Sequence, residues 1–171
     1  LSFPGTVIGT TARAVSGNNV VGTYDDSTGR SHGFLFDGTN YTTLDPPGAV
    51  SLPYGSGVSV SGVSGNNVVG RYLDSSYVWH GFLYDISTSA YTTLDPPGST
   101  WTALHGVSDN YVVGSFGEAN NIEHGFLYNG TSYTTLEPVG SVMSSANAVS
   151  GEYVVGEYGD GNRHYGFLAD P

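Results

Sequence analysis

The phrase Val-Val-Gly, then ten residues, then Gly-Phe-Leu, is written four times along this chain. A segment that recurs at a near-fixed interval folds the same way each time. The copies run from Val20-Val21-Gly22 to Gly33-Phe34-Leu35, from Val68-Val69-Gly70 to Gly81-Phe82-Leu83, and from Val112-Val113-Gly114 to Gly125-Phe126-Leu127. The last, Val154-Val155-Gly156 to Gly166-Phe167-Leu168, is one loop residue shorter. Successive copies are spaced by 48, 44 and 42 residues, a period that points to stacked or radial repeats.

Each copy holds four short strand candidates between turn residues. In the first they are Ala12 to Ser16, Asn19 to Tyr24, His32 to Phe36 and Tyr41 to Leu44, separated by Gly17-Asn18, the loop Asp25 to Ser31, and Asp37 to Asn40. Val, Phe, Tyr and Thr dominate them, as suits a pleated, packed surface. No stretch has a sustained helical period. Asp45-Pro46-Pro47-Gly48, Asp95-Pro96-Pro97-Gly98 and Glu137-Pro138-Val139-Gly140 end the fourth strands, because proline cannot donate to a ladder.

Four strands repeated four times predict an all-β fold, a four-bladed β-propeller with four antiparallel strands per blade. The blades fall at about 6–48, 49–98, 99–140 and 141–171, in one domain over 1–171. The last copy stops at Pro171 without its Tyr-Thr-Thr-Leu strand, and Leu1-Ser2-Phe3-Pro4-Gly5 aligns with Leu44-Asp45-Pro46-Pro47-Gly48. The N-terminal segment, 1–5, is therefore expected to latch the last blade and close the ring, within one chain or in a swapped dimer. The strand before each Val-Val-Gly carries a small residue at one place, Ala14, Gly62, Gly106 and Ala148, which suits an innermost strand around a crowded axis. The neighbouring Arg13, Ser61, His105 and Asn147 then line or cap the channel.

Composition narrows the function classes. The chain has 171 residues, enough for a core without covalent staples, and no cysteine, so disulfides and thiolate chemistry are excluded. Four Lys plus Arg against fifteen Asp plus Glu give a net charge of −11, which excludes nucleic acid and anionic membrane surfaces as partners. No apolar run approaches the ~20 residues of a membrane-spanning helix. The opening at Leu1, in mid-motif and with no signal peptide, reads as a processed or excised domain. Twenty-six Gly and thirteen Tyr suit an all-β extracellular protein.

Val-Ser-Gly-Asn-Asn-Val-Val-Gly, a turn, His-Gly-Phe-Leu and then Thr-Thr-Leu-Asp closely resemble the bacterial extracellular repeat called the HAF family, named for a His-Ala-Phe triplet. The corresponding triplets here are His32-Gly33-Phe34, His80-Gly81-Phe82, His124-Gly125-Phe126 and Tyr165-Gly166-Phe167. The resemblance spans essentially the whole chain. It implies secretion or cell-surface display in a bacterium or archaeon, and it supplies no reaction. Gly stands for Ala throughout, and Tyr165 replaces the fourth His, with His164 beside it.

The recurring His could form a metal array, but a residue repeated once per blade, two strands from the axis, is expected to fix a loop or a neighbouring strand. Acids recur as well. Asp26, Asp74, Glu118 and Asp160 follow the second strands, and Asp45, Asp95 and Glu137 follow the fourth. With Asp25 beside Asp26, the first set offers Ca2+ ligands in loops of calcium-binding character, against the plain reading that Asp in a turn bonds its own backbone.

Function is sought where the copies differ. The second carries the insertion Ser51 to Ser56, and Trp79 stands where other copies have Ser31 and Glu123. Tyr54, Tyr77, Trp79 and Trp101, with Asp74, are candidates for an aromatic platform that stacks sugars while a carboxylate takes hydroxyls. The expected function is a secreted or cell-surface module binding a polysaccharide or other glycan. A scaffold touching neighbouring extracellular domains is the second reading. The third is a polysaccharide-degrading enzyme using channel-mouth groups such as His105 and Asp109. The chain contains no complete Gly-x-Ser-x-Gly elbow.

Overall fold

The computed structural model describes residues 3–5, 8–52 and 57–170. It is all-β, with four antiparallel sheets and no helix among the described residues. The first sheet orders β1 (Gly9–Ser16), β2 (Asn19–Asp25), β3 (Ser31–Phe36) and β4 (Tyr41–Leu44). The second is built likewise from β5 (Val58–Ser64), β6 (Asn67–Leu73), β7 (Trp79–Asp85) and β8 (Ala90–Thr93). The third holds β9 (Trp101–Ser108), β10 (Tyr111–Gly117), β11 (Glu123–Tyr128) and β12 (Tyr133–Leu136). The fourth has three strands, β13 (Met143–Ser150), β14 (Tyr153–Gly159) and β15 (His164–Ala169).

The repeat phrase is explained by one local device. Every first strand carries a β-bulge against its second strand. Ala12 pairs with Gly22 and Ala14 with Val21, so Arg13 is the extra residue. The same place is held by Ser61, His105 and Asn147. The bulge pushes a carbonyl toward the second strand. A Cβ on Gly22, Gly70, Gly114 or Gly156 would lie 2.0, 2.2, 2.1 or 2.2 Å from the carbonyl oxygen of Thr11, Ser59, Ala103 or Ser145. In three of the sheets the Phe of Gly-Phe-Leu then lays its ring over the same glycine, as Phe82 does on Gly70. Val-Val-Gly is thus a bulge acceptor and Gly-Phe-Leu its cover.

The two valines alternate faces and so join consecutive sheets. Val68 lies in the core between sheets one and two, and Val69 in the core between two and three. Val112 and Val113 repeat this one sheet later. Three cores therefore separate four sheets. Phe34, Phe82, Phe126, Leu44 and Leu104 are among the largest fully buried side chains. β5, β9 and β13 each pack across the face of the preceding sheet and beside the preceding first strand, so β1, β5, β9 and β13 follow one another in a row. The small residues mark this contact: a Cβ on Gly62 would lie 3.6 Å from Gly106 Cα, and one on Gly106 would lie 3.4 Å from Ala148 Cα.

Among the described residues extensive packing joins the first sheet to the second, the second to the third and the third to the fourth, but not the fourth to the first. Among the described residues β15 has no strand on its outer edge. Leu1, the strand residue of the expected latch, lies outside the described residues. Phe3 stacks on Tyr24 with ring centroids 3.9 Å apart and meets Tyr41 edge-on, so this part of the N-terminal segment covers the first sheet.

Candidate functional site

The bulges also build the site. An extra residue in a strand leaves the pleat and re-aims its side chain, and three of the four bulge residues line one cleft. This cleft, of about 310 Å³, is bordered by Arg13, Ser59, Ser61, Arg71 and His105 and floored by apolar residues including Leu104. Asn147, the fourth expected channel residue, is absent from the lining and accepts a hydrogen bond from Ser145 Oγ at 3.3 Å.

The electrostatics of the cleft oppose those of the molecule. Two of the chain's four basic residues stand here, and no carboxylate lines the cleft. Among the described residues neither guanidinium is ion-paired with a carboxylate. The Arg71 guanidinium sits 4.5 Å from the centroid of the Trp79 ring, which holds it by cation–π attraction. Partial desolvation lowers the Arg71 pKa from its ordinary value, and arginine remains charged at neutral pH even so. His105 Nδ1 lies 3.0 Å from the carbonyl oxygen of Ala146. A carbonyl only accepts, so Nδ1 carries the proton and Nε2 is the ring's basic nitrogen. Two planar forks, an imidazole and two serine hydroxyls over an apolar floor suit a small anionic, hydroxylated ligand.

Tyr77 is exposed, at the left-handed φ of 62° in its loop. Trp79 opens β7 and engages Arg71. Trp101 opens β9 with its indole over Gly117, the residue it pairs with on β10. No ring contact joins these three to one another, and Tyr54 lies outside the described residues. Asp74 Oδ1 is taken by the N–H groups of Ser76 and Val78.

The two acidic sets converge on the histidines. His32 Nδ1 lies 2.7 Å from Asp45 and its Nε2 3.5 Å from Asp26. His80 repeats this with Asp95 at 2.6 Å and Asp74 at 3.5 Å. His124 does so with Glu137 and, at 3.8 Å, Glu118. In the fourth sheet the Tyr165 hydroxyl donates to Asp160 Oδ2 at 3.1 Å. Each of the three imidazoles links the loop after the second strand to the end of the fourth.

The carboxylates are also bound from behind. Asp26 Oδ1 accepts from the Thr28 hydroxyl and from the N–H groups of Thr28 and Arg30, and these bonds hold its pKa well below the usual range. Hydrogen bonds from Val78 and Ser76 lower Asp74, and those from Asn162 and Arg163 lower Asp160. Burial opposes protonation of His80, but Asp95 and Asp74 together outweigh it and raise its pKa.

Asp25 takes the Ser31 hydroxyl at 2.5 Å, Asp26, Asp74 and Asp160 accept from N–H groups of their own loops, and the Glu118 carboxylate faces His124 at 3.8 Å. No group of three metal-ligating side chains is gathered among the described residues. His105 and Asp109 also part company. Asp109 holds the β9–β10 turn at φ 52°, donates its N–H to Ser64 Oγ, and borders a different cavity.

Sequence reasoning missed Arg71 and Ser59. Their signal was positional: Arg71 directly follows Gly70, where other copies have Thr23, Ser115 and Glu157, so it is peculiar to one copy. No family model matches the chain, and no curated protein matches it. Among solved structures, the computationally designed Ika4 protein is similar at 19% identity and a TM-score of 0.49, with 97% of this chain and 94% of that chain covered.

Proposed function

We propose that this chain is an extracellular binding module of HAF-repeat type, its four sheets being blades of a β-propeller, and that its axial cleft takes a carbohydrate bearing a carboxylate. The observation that carries this reading is the placing of Arg13, Arg71 and His105 in one carboxylate-free cleft of a protein whose net charge is −11. The guanidinium forks receive the carboxylate, Ser59, Ser61 and His105 Nε2 take ring hydroxyls, and the apolar floor meets the C–H face of the sugar.

The acidic surface does not defeat this arrangement. Charges more than about 8 Å away are screened at physiological salt, whereas a direct guanidinium–carboxylate pair is not. The same balance selects a terminal or isolated acidic sugar over a long polyanion, whose other charges would meet the acidic loops.

The test is calorimetric titration with short uronate-terminated oligosaccharides beside neutral ones of equal length. The acidic series binds and the neutral series does not, and Arg71→Ala weakens binding at least tenfold, from the loss of one charged hydrogen-bonded pair of ~1.5–3 kcal/mol. Equal affinity for both series, or an undiminished Arg71→Ala, sinks the reading.

A further inference from the structure

The three internal junctions are copies of one another, and the first and fourth sheets each carry one half of a fourth that is not made among the described residues. At each junction the second valine, the leucine of Gly-Phe-Leu and the following first strand close over one glycine. Leu127, Val113, Ala146 and Val154 form the third core, and a Cβ on Gly125 would lie 2.9 Å from Ala146 N. Gly33 meets Val60 and Gly81 meets Leu104 in the same manner, at 2.8 Å.

On the fourth sheet the equivalent hole is open. A Cβ on Gly166 would find only its own sheet's Gly156 oxygen, at 3.8 Å. Around it Tyr153, Val155 and Leu168 are 59%, 45% and 67% exposed, where their counterparts Val113 and Leu127 are buried and Tyr111 is partly buried. On the first sheet the equivalent knob is bare. Ala12, which corresponds by register to Val60, Leu104 and Ala146, is exposed, and Val15 is 67% exposed.

A hydrogen-bond series tells the same story. Ser16 Oγ accepts from Gly65 N–H at 3.1 Å, Ser64 Oγ from Asp109 N–H at 3.1 Å, and Ser108 Oγ from Gly151 N–H at 3.2 Å. The next members, Ser150 Oγ at one end and Gly17 N–H at the other, do not make this bond among the described residues.

We infer that a second copy of this chain docks its first-sheet face onto the fourth-sheet face, and that the same contact made twice closes a ring of two chains. Ala12 enters the hollow at Gly166, Val15 and Val20 cover Val155 and Leu168, and Gly17 N–H donates to Ser150 Oγ. The occupant follows from continuity: the exposed face is the surface that receives a first strand of this same sequence three times inside the chain. A head-to-tail contact either closes or polymerises, and closure leaves neither apolar face in water. The inference rests on the sheet faces alone and is independent of what the axial cleft binds.

The chain has no cysteine, so single-cysteine variants report the geometry. The full chain is examined by light scattering over a roughly hundredfold dilution series, since assembly depends on protomer concentration. A mass of twice the 17.8 kDa chain is expected. Under oxidation Ala12→Cys and Leu168→Cys cross-link when mixed and not when kept apart. Leu168→Asp, a change at an exposed site, keeps the far-ultraviolet dichroism of the chain and weakens association more than about tenfold. A monomer at every concentration overturns the inference. So does cross-linking of either variant with itself in place of the mixed pair, or a dimer undisturbed by Leu168→Asp.

Discussion

Gly70 faces the Ser59 carbonyl oxygen at 2.2 Å from where a Cβ would stand, with the Phe82 ring at 2.8 Å on its other side. Neither neighbour is the free end of a flexible side chain, so Gly70→Ala forces the bulge or the ring to move. A loss of about 3 kcal/mol is expected in denaturant unfolding, at the upper end of ordinary overpacking. Gly166→Ala, with nothing closer than 3.8 Å within its chain, is expected to leave the stability of the isolated chain within about 0.5 kcal/mol. A cost for Gly166→Ala in the monomer equal to that of Gly70→Ala would contradict the bulge account of the repeat. The glycines were legible in the sequence as invariant letters, but the bulge behind them was not. A bulge adds one residue to one strand, and the run Ala12-Arg13-Ala14 shows no interruption of its pattern to betray it. The small residues Ala14, Gly62, Gly106 and Ala148 were legible because crowding at a shared centre excludes side chains by size alone.

Strands and turns were readable almost to the residue, since each ends at Gly, Asp or Pro chemistry that the next copy repeats. The Tyr41–Leu44 strand was placed as it stands, and β1 extends to Gly9, three residues before the expected start. What sequence spacing could not show is that the two acidic sets, 19, 21 and 19 residues apart in the first three copies, meet on one imidazole in each. The His80 ring illustrates the consequence for stability. Its pKa is raised in the fold, so its contribution is complete below the unfolded value of about 6.5 and is lost as pH climbs through the raised folded value. Asp74 is lowered, so its contribution is present above its unfolded value of about 3.9 and lost as pH falls through the folded one. Both are in force between about pH 4 and 6.5. NMR titration of the His80 ring is expected to give a midpoint above the ordinary value, and Asp95→Asn to lower it. A midpoint at or below 6.5 would remove the pin from the account. Because the loop carboxylates already serve backbone N–H groups and histidines, millimolar Ca2+ or a chelator is expected to leave the melting temperature unchanged, and a rise of several degrees with Ca2+ would restore the metal reading.

At the scale of the molecule, stability is graded by how many faces of a sheet are covered. The second and third sheets are packed on both sides, while the first and fourth each offer one face to a neighbouring sheet. Truncating the fully buried Phe82 to alanine is therefore expected to cost ~3–5 kcal/mol. The same change at Phe167, only half-buried beside an unfinished edge, is expected to cost less than half of that. The repeat made this layering legible. It hid which junctions are made, because a sequence that repeats looks the same at every one. The site was half legible for a related reason. Channel residues at the bulges were found from their place beside the small residues, whereas the aromatics drew attention by type alone, with Trp79 resting against Arg71 and Trp101 lying over Gly117. Arg71 unites the two, lining the cleft while resting on Trp79. The most direct test of the central claim, that the cation-lined cleft is the ligand site, is to map amide and side-chain shifts as a uronate-terminated oligosaccharide is titrated in. The account predicts perturbations gathered on Arg13, Ser59, Ser61, Arg71 and His105, with Tyr77 and Trp101 unmoved. Perturbations centred on Tyr77 and Trp101, or confined to the exposed loops, would contradict it.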